Sequence, residues 1–425
     1  MFKKNALLFL MLMMSFSVVN EARAVPSFAR QTNMPCSSCH TVYPELNAFG
    51  RQFKLNGYTL TGIQQIDART SSNQRNLKIN TTPPFSVMLQ TGYTHVSKKV
   101  PDTQNDDIAF PQELSLFYAG EISDKLGSFI QLTYEQAEDK FGWDNTDIHY
   151  ATTSGDNTFG ITLNNSPSVQ DIWNTLPTWG YPYTGSGSAP GPTATAATLF
   201  GMLPQDSVGL GGYAMWNGSI YTEVTLYRSA HLGSDLPDIN SENTINGVAP
   251  YVRVAWQQNL GTNDYLMIGA YGMKGSLIPS GVAGPTDQYT DAAIDAQYEH
   301  SMDDNVLSVH LIAQQEKQTL DASSPGFDPK LNSVKIDGTY HWANSAEATL
   351  AYWTTTGDSG DYSGAPFGYI GSPDNSGYIA QYSYLPWQNT KLTAQYIAYN
   401  KFDGLDPGRS ASDNDTLLLQ AWLMW

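Results

Sequence analysis

The chain has 425 residues and a formal net charge of −18, with 41% hydrophobic and only 15% charged residues. A strongly acidic balance makes nucleic acid a poor partner, and two cysteines are too few for a zinc site built on thiolates. No Ser/His/Asp constellation and no glycine-rich phosphate loop stands out.

The chain opens with an export pattern. Lys3 and Lys4 precede an apolar run from Ala6 to Val19, and Ala22-Arg23-Ala24 supplies small residues around a cleavage point. The run is shorter than the ~20 residues of a spanning helix. Residues 1–24 therefore read as a signal peptide, and the mature protein starts at Val25. Its charge is divided. Residues 25–80 hold Arg30, Arg51, Lys54, Arg69, Arg75 and Lys78 against Glu45 and Asp67, a net +4, and 81–425 carry −24. Opposite charge predicts that the two parts attract each other.

Residues 25–58 are organised around Cys36-Ser37-Ser38-Cys39-His40. This spacing lets two thiols reach one macrocycle edge and points an imidazole at the metal, so the run reads as a covalent haem c attachment site. Cys36 and Cys39 bind the haem, and His40 is the proximal iron ligand. The alternatives are a redox dithiol or a structural disulfide. Next, Pro44-Glu45 suits the first turn of a helix and Asn56-Gly57 its end. Leu46, Phe49 and Phe53 then share one face, which is expected to cover the haem together with Phe28. Arg30, Arg51 or Lys54 could pair with the propionates. About fifty residues bury too little to be stable unaided. From 59 to 84 the chain is polar and ends in Pro83-Pro84, which reads as a linker.

From Phe85 the hydrophobic period becomes two. Ile220, Thr222, Val224 and Leu226 alternate with Tyr221, Glu223, Thr225 and Tyr227, and similar runs recur near 130, 295 and 336. A soluble sandwich would also alternate. A transmembrane barrel is favoured by the ~10-residue segments and by connections that alternate short and long. Short ones fall near Asp124-Lys125, Ser154-Gly155, Asn217-Gly218, Leu260-Gly261, Ser301–Asp304, Ala343–Ser345 and Trp387–Asn389. Long ones fall at 98–111, 138–144, 164–207, 230–247, 275–286, 317–329, 357–375 and 401–414, all expected on the outer side. The chain ends inside an alternating run, Leu417 to Trp425, and 25 Tyr and 10 Trp can form interfacial girdles. The fold class is thus an all-β barrel of about 16 antiparallel strands over 85–425, lying in outer-membrane lipid. A barrel of that size has an aqueous lumen unless something fills it. The basic haem segment, facing inward carboxylates such as Glu223, Asp291, Asp295 and Asp337, is expected to plug it.

Residues 29–40, Ala-Arg-Gln-Thr-Asn-Met-Pro-Cys-Ser-Ser-Cys-His, with Pro44 to Arg51 and Phe53-Lys54, resemble the fused monohaem cytochrome–porins of iron-oxidising bacteria. The likeness is specific over about 25–60; beyond, it is one of architecture and length. It implies an outer-membrane protein that oxidises extracellular Fe(II) and passes the electron through its haem to a periplasmic c-type cytochrome or similar carrier. The same segment could instead serve another extracellular donor or acceptor, or be a structural or redox-sensing plug of a porin.

The distal iron ligand is not evident. No His or Met lies between His40 and Met88. Met34, Met88, His95, His149, His310 and His341 are the candidates, with water or no ligand as the alternative. Outward carboxylates, Asp102, Asp106 and Asp107, Asp358 and Asp361, and Asp403, Asp406, Asp413 and Asp415, could gather hard cations or serve as ordinary solvated loop residues.

Overall fold

A computed structural model describes residues 25–425 apart from 61, 64, 69–76, 100–104, 136–138, 178–180, 187, 190–195, 204–206, 231–243, 280–284, 363–369 and 403–408. The signal peptide, Asp102, Asp403 and Asp406 lie outside the described residues. Sixteen long strands form one antiparallel sheet from Phe85–Val96 to Thr416–Met424, and these two strands pair with each other, closing the barrel. Closure leaves no unpaired edge, so every strand carries ladder bonds on both sides. Strands reach 17 residues, as in Asp107–Ser123, longer than the alternation alone marks out.

All seven short connections lie where the sequence puts them, between consecutive strands. Asn217 and Gly218 both have positive φ, 49° and 65°, and so do Ala343 and Asn344, 42° and 58°. Tight hairpins need this conformation because its twist matches that of the strands. The strand start at Phe85 and the chain end at Trp425 lie at this same short-turn end. The outer face is apolar. Leu210, Val224, Val254, Ile294 and Leu350 are more than half exposed. Trp216, Trp342, Trp387 and Trp425 stand on the surface beside the short turns, as an interfacial girdle does.

The lumen is filled. Helix α1 (Pro26–Thr32) has proline in its first turn and ends at Asn33 in the left-handed conformation. Helix α2 (Ala48–Leu55) ends at Asn56, followed by Gly57 at φ 72°. Its start differs from the expectation by four residues. Pro44 and Glu45 precede it, the Thr41 amide bonds the Glu45 carbonyl, and Asn47 is the cap, accepting from the Gly50 amide at 3.0 Å. A side-chain oxygen satisfies a first-turn N–H better than Glu45 could, so the cap decides the boundary.

This segment touches the inner wall on every side. Tyr58 donates to Asp147 at 2.6 Å, Tyr213 donates to the Leu55 carbonyl at 2.8 Å, and Lys391 donates to the Tyr43 carbonyl at 3.0 Å. The linker is more ordered than its composition suggests: Gln65–Ala68 and Leu77–Asn80 pair as an antiparallel ribbon.

One expectation about the loops is overturned. Within 164–207, the stretches 166–176 and 196–200 do not stand outside. Val169, Ile172, Trp173, Leu176 and Phe200 are at most 2% exposed and pack inside the barrel. Asp171 lies at 3.3 Å from Arg253 of the wall, which also binds Asp295 at 2.8 Å. Apolar burial explains the inward course: these side chains have no other place to leave water.

Candidate haem site

The Cys36–His40 run forms a tight turn in which the Cys39 and His40 amides both bond the Cys36 carbonyl, at 3.0 and 2.9 Å. Asn47 fastens this turn to α2. Its amide bonds the Cys39 carbonyl at 3.0 Å and its side chain donates to Ser37 at 3.1 Å. A Cβ on Gly50 would sit 2.0 Å from the Cys39 carbonyl oxygen, so only glycine lets α2 approach so closely.

Cys36, Cys39 and His40 all border one cavity of about 480 Å³ within the lumen. This is within the usual ~300–1,000 Å³ of an organic-ligand site. Phe28, Leu46, Phe53, Phe117, Phe129 and Trp422 make much of its wall apolar, while Lys54, Gln131 and Asn145 are polar. The inward loop contributes Val169, Asn174 and Tyr183, and Asn174 donates to the Pro44 carbonyl at 3.3 Å. The cavity is therefore bounded by plug, wall and loop together.

The donor set fits a covalently held porphyrin. The two thiols are free, and burial raises both, Cys39 to about 11. A redox dithiol needs the reverse shift, so the dithiol alternative lacks its electrostatic support. The His40 Nδ1 is buried without a hydrogen-bond partner. Burial lowers the imidazole to about 4, opposed only in part by the Pro44 and Glu45 carbonyls, leaving it in the neutral form that ligates metals. Among the described residues no three His, Cys, Asp or Glu side chains converge as a cation site, which leaves the thiol pair without zinc partners.

Other expectations divide. Leu46, Phe53 and Phe28 border the cavity; Phe49 does not, being 38% exposed. Lys54 is the propionate candidate that borders the cavity, and its ammonium already donates to the Asp171 carbonyl at 2.7 Å. Arg30 binds the Phe85 carbonyl, and Arg51 pairs with Glu299 of the wall. The histidine candidates for the distal position are engaged elsewhere: His149 with Asp147 at 2.7 Å, His310 with Asp337 at 3.1 Å, His341 with Glu45 at 3.5 Å, and His95 with Asp106. Met34 borders a small adjoining recess that shares Phe28, Cys39 and Phe53 with the cavity, whereas Met88 borders the cavity itself. Sequence reasoning missed Met424, Trp422 and Asn174 at the cavity, and Lys391 beneath Tyr43. Asn47 was findable, being a capping residue just before the helix.

The outward carboxylates serve loop structure. Asp106 accepts from Tyr93 at 2.8 Å, Asp107 binds Ser188, Asp358 accepts from the Lys330 amide at 2.9 Å, Asp413 pairs with Lys98 at 2.9 Å, and Asp415 accepts from the Tyr399 amide at 2.8 Å.

No protein-family model and no curated protein matches the chain. Solved structures of similar shape include OmpF of Salmonella typhi in complex with daunomycin, 14% identical with a TM-score of 0.49, covering 80% of this chain and 97% of that one. A loop L8 deletion mutant of OmpT, an outer-membrane protein of Vibrio cholerae, is 12% identical with a TM-score of 0.47, covering 80% and 98%. An anion-selective porin from Comamonas acidovorans is 13% identical with a TM-score of 0.47, covering 80% and 98%. These are likenesses of barrel shape.

Proposed function

We propose that the protein is an outer-membrane cytochrome–porin that carries electrons between an extracellular donor, Fe(II) foremost, and a periplasmic electron carrier such as a c-type cytochrome. The observation that carries this reading is the convergence of Cys36, Cys39 and His40 on one cavity inside a closed barrel. An apolar outer face flanked by tryptophans suits outer-membrane lipid. A haem c bound here supplies one-electron redox chemistry. Cys36 and Cys39 would hold it, the neutral His40 would face the iron, and Lys54 would balance propionate charge.

Side chains of the plug, the wall and the inward loop together form the walls of the cavity. The net reaction transfers one electron from Fe(II), which becomes Fe(III), to the oxidised periplasmic carrier, which becomes reduced. A porin whose haem plug is structural or redox-sensing is the second reading, because a plug packed inside a closed barrel fits it as well.

The test has two parts. Denatured protein from an exporting host should retain haem, and Cys36→Ala with Cys39→Ala should lose it. Purified oxidised protein should then be reduced by added Fe(II), with His40→Ala inactive. Haem that washes off the denatured chain would overturn the cytochrome reading. A covalently attached haem that Fe(II) leaves oxidised would overturn iron as donor.

A further inference from the structure

The Cys36–His40 run would supply one axial ligand from the plug, and no second histidine or methionine of the plug borders the same cavity. Met34 borders an adjoining recess of about 10 Å³, which shares Phe28, Cys39 and Phe53 with the cavity, and does not line the cavity itself. The wall supplies what the plug lacks. Met88 is the fourth residue of the strand Phe85–Val96, at an inward position, and is 3% exposed. It borders the cavity with Cys36, Cys39 and His40. Its sulfur accepts a long hydrogen bond from Gln90 Nε2 at 3.7 Å, and Gln90 borders the same cavity.

We infer that Met88 is the distal iron ligand, contributed by the barrel to a haem whose covalent and proximal bonds come from the plug. This rests on the haem reading above. A thioether is a soft ligand of the kind haem iron accepts, and a His/Met pair gives a higher potential than two histidines. A high potential is what accepting electrons from Fe(II) requires. The four histidines that could compete are paired with carboxylates outside the cavity. Met424 stands directly opposite Met88 in the strand register and also borders the cavity, but no donor bond orients its sulfur among the described residues. Two consequences follow from a ligand in trans. The iron site is complete only when the plug is docked, and the haem itself ties plug to wall across 48 positions of chain.

The test uses the full-length, haem-loaded protein in detergent, with haem content measured on the denatured chain. Oxidised wild type should show the weak long-wavelength charge-transfer band of methionine-ligated ferric haem. Met88→Leu, close in volume, should lose that band and become partly high-spin while keeping covalent haem. Met88→His should restore a low-spin spectrum with a lower midpoint potential than wild type. Met424→Leu should retain the band. Overturning results are a haem-loaded wild type without the band, a band that survives Met88→Leu, or a band removed by Met424→Leu alone. Absence of covalent haem from the wild type is a separate outcome, and it would overturn the haem reading together with this inference.

Discussion

The plug should be held to the wall chiefly by buried ion pairs, and the Arg51–Glu299 pair allows that to be measured. The two side chains are 5% and 13% exposed, with Arg51 Nη2 at 3.1 Å from Glu299 Oε2. Arg51 also donates to the Leu46 carbonyl at 2.8 Å and stacks 4.3 Å above the Tyr265 ring. Replacing Arg51 by Met leaves Glu299 with Gln297, 2.9 Å away, as its remaining side-chain donor. Breaking a buried pair from one side costs ~3–5 kcal/mol, because the other charge stays buried.

Glu299→Gln alone strands the guanidinium and should fall near the low end of that range. The double variant leaves no charge behind, so its cost should be smaller than the sum by ~2–3 kcal/mol, within the range seen for contacting pairs. Hydrogen exchange of the α2 amides in detergent reads the local opening free energy of this unit. Additivity of the two substitutions within about 0.5 kcal/mol would refute the claim that this pair docks the plug.

Acid should release the plug as well. Burial opposes the ionisation of Glu45, but His341 and His310 outweigh it and hold the carboxyl at about 2 against an ordinary 4.5. A carboxyl depressed in the folded state contributes in full above pH 4.5 and loses its contribution as pH falls toward 2, ~3 kcal/mol in all; Glu45→Gln should flatten this stretch of the α2 exchange profile. Gly50→Ala should cost ~1–3 kcal/mol from the clash with the Cys39 carbonyl and lower haem incorporation, read by haem content per chain. Cysteine labelling of intact cells should tag Asp321→Cys, which is exposed in a long connection, and leave Val169→Cys untouched, since Val169 is 2% exposed inside the barrel. Equal labelling would place 164–207 outside.

Much of the barrel was legible because its signals are local. A strand shows its two faces in every second residue, and a tight hairpin needs its left-handed residues at the turn itself, as at Asn217-Gly218. The Cys36–His40 run, on which the haem proposal rests, is local too: five residues at the spacing a covalent haem would need. The sign of the charge on each part also foretold that the basic segment enters the acidic lumen, where Arg51 meets Glu299.

Tertiary structure alone decided which residues meet. Met88, Asn174, Trp422 and His40 come from four distant stretches, and their shared cavity depends on how strand stagger sets the height of each inward side chain. The inward course of 166–176 and 196–200 is not legible in the sequence, where a long connection in a barrel reads as an outer loop. Its Val169, Ile172, Trp173 and Leu176 carried the warning, but burial needs a surface to receive them, and that surface exists only after the strands have closed. The same reason applies to His310 and His341. A histidine on a strand becomes a counter-charge for Glu45 only once the plug is beside it.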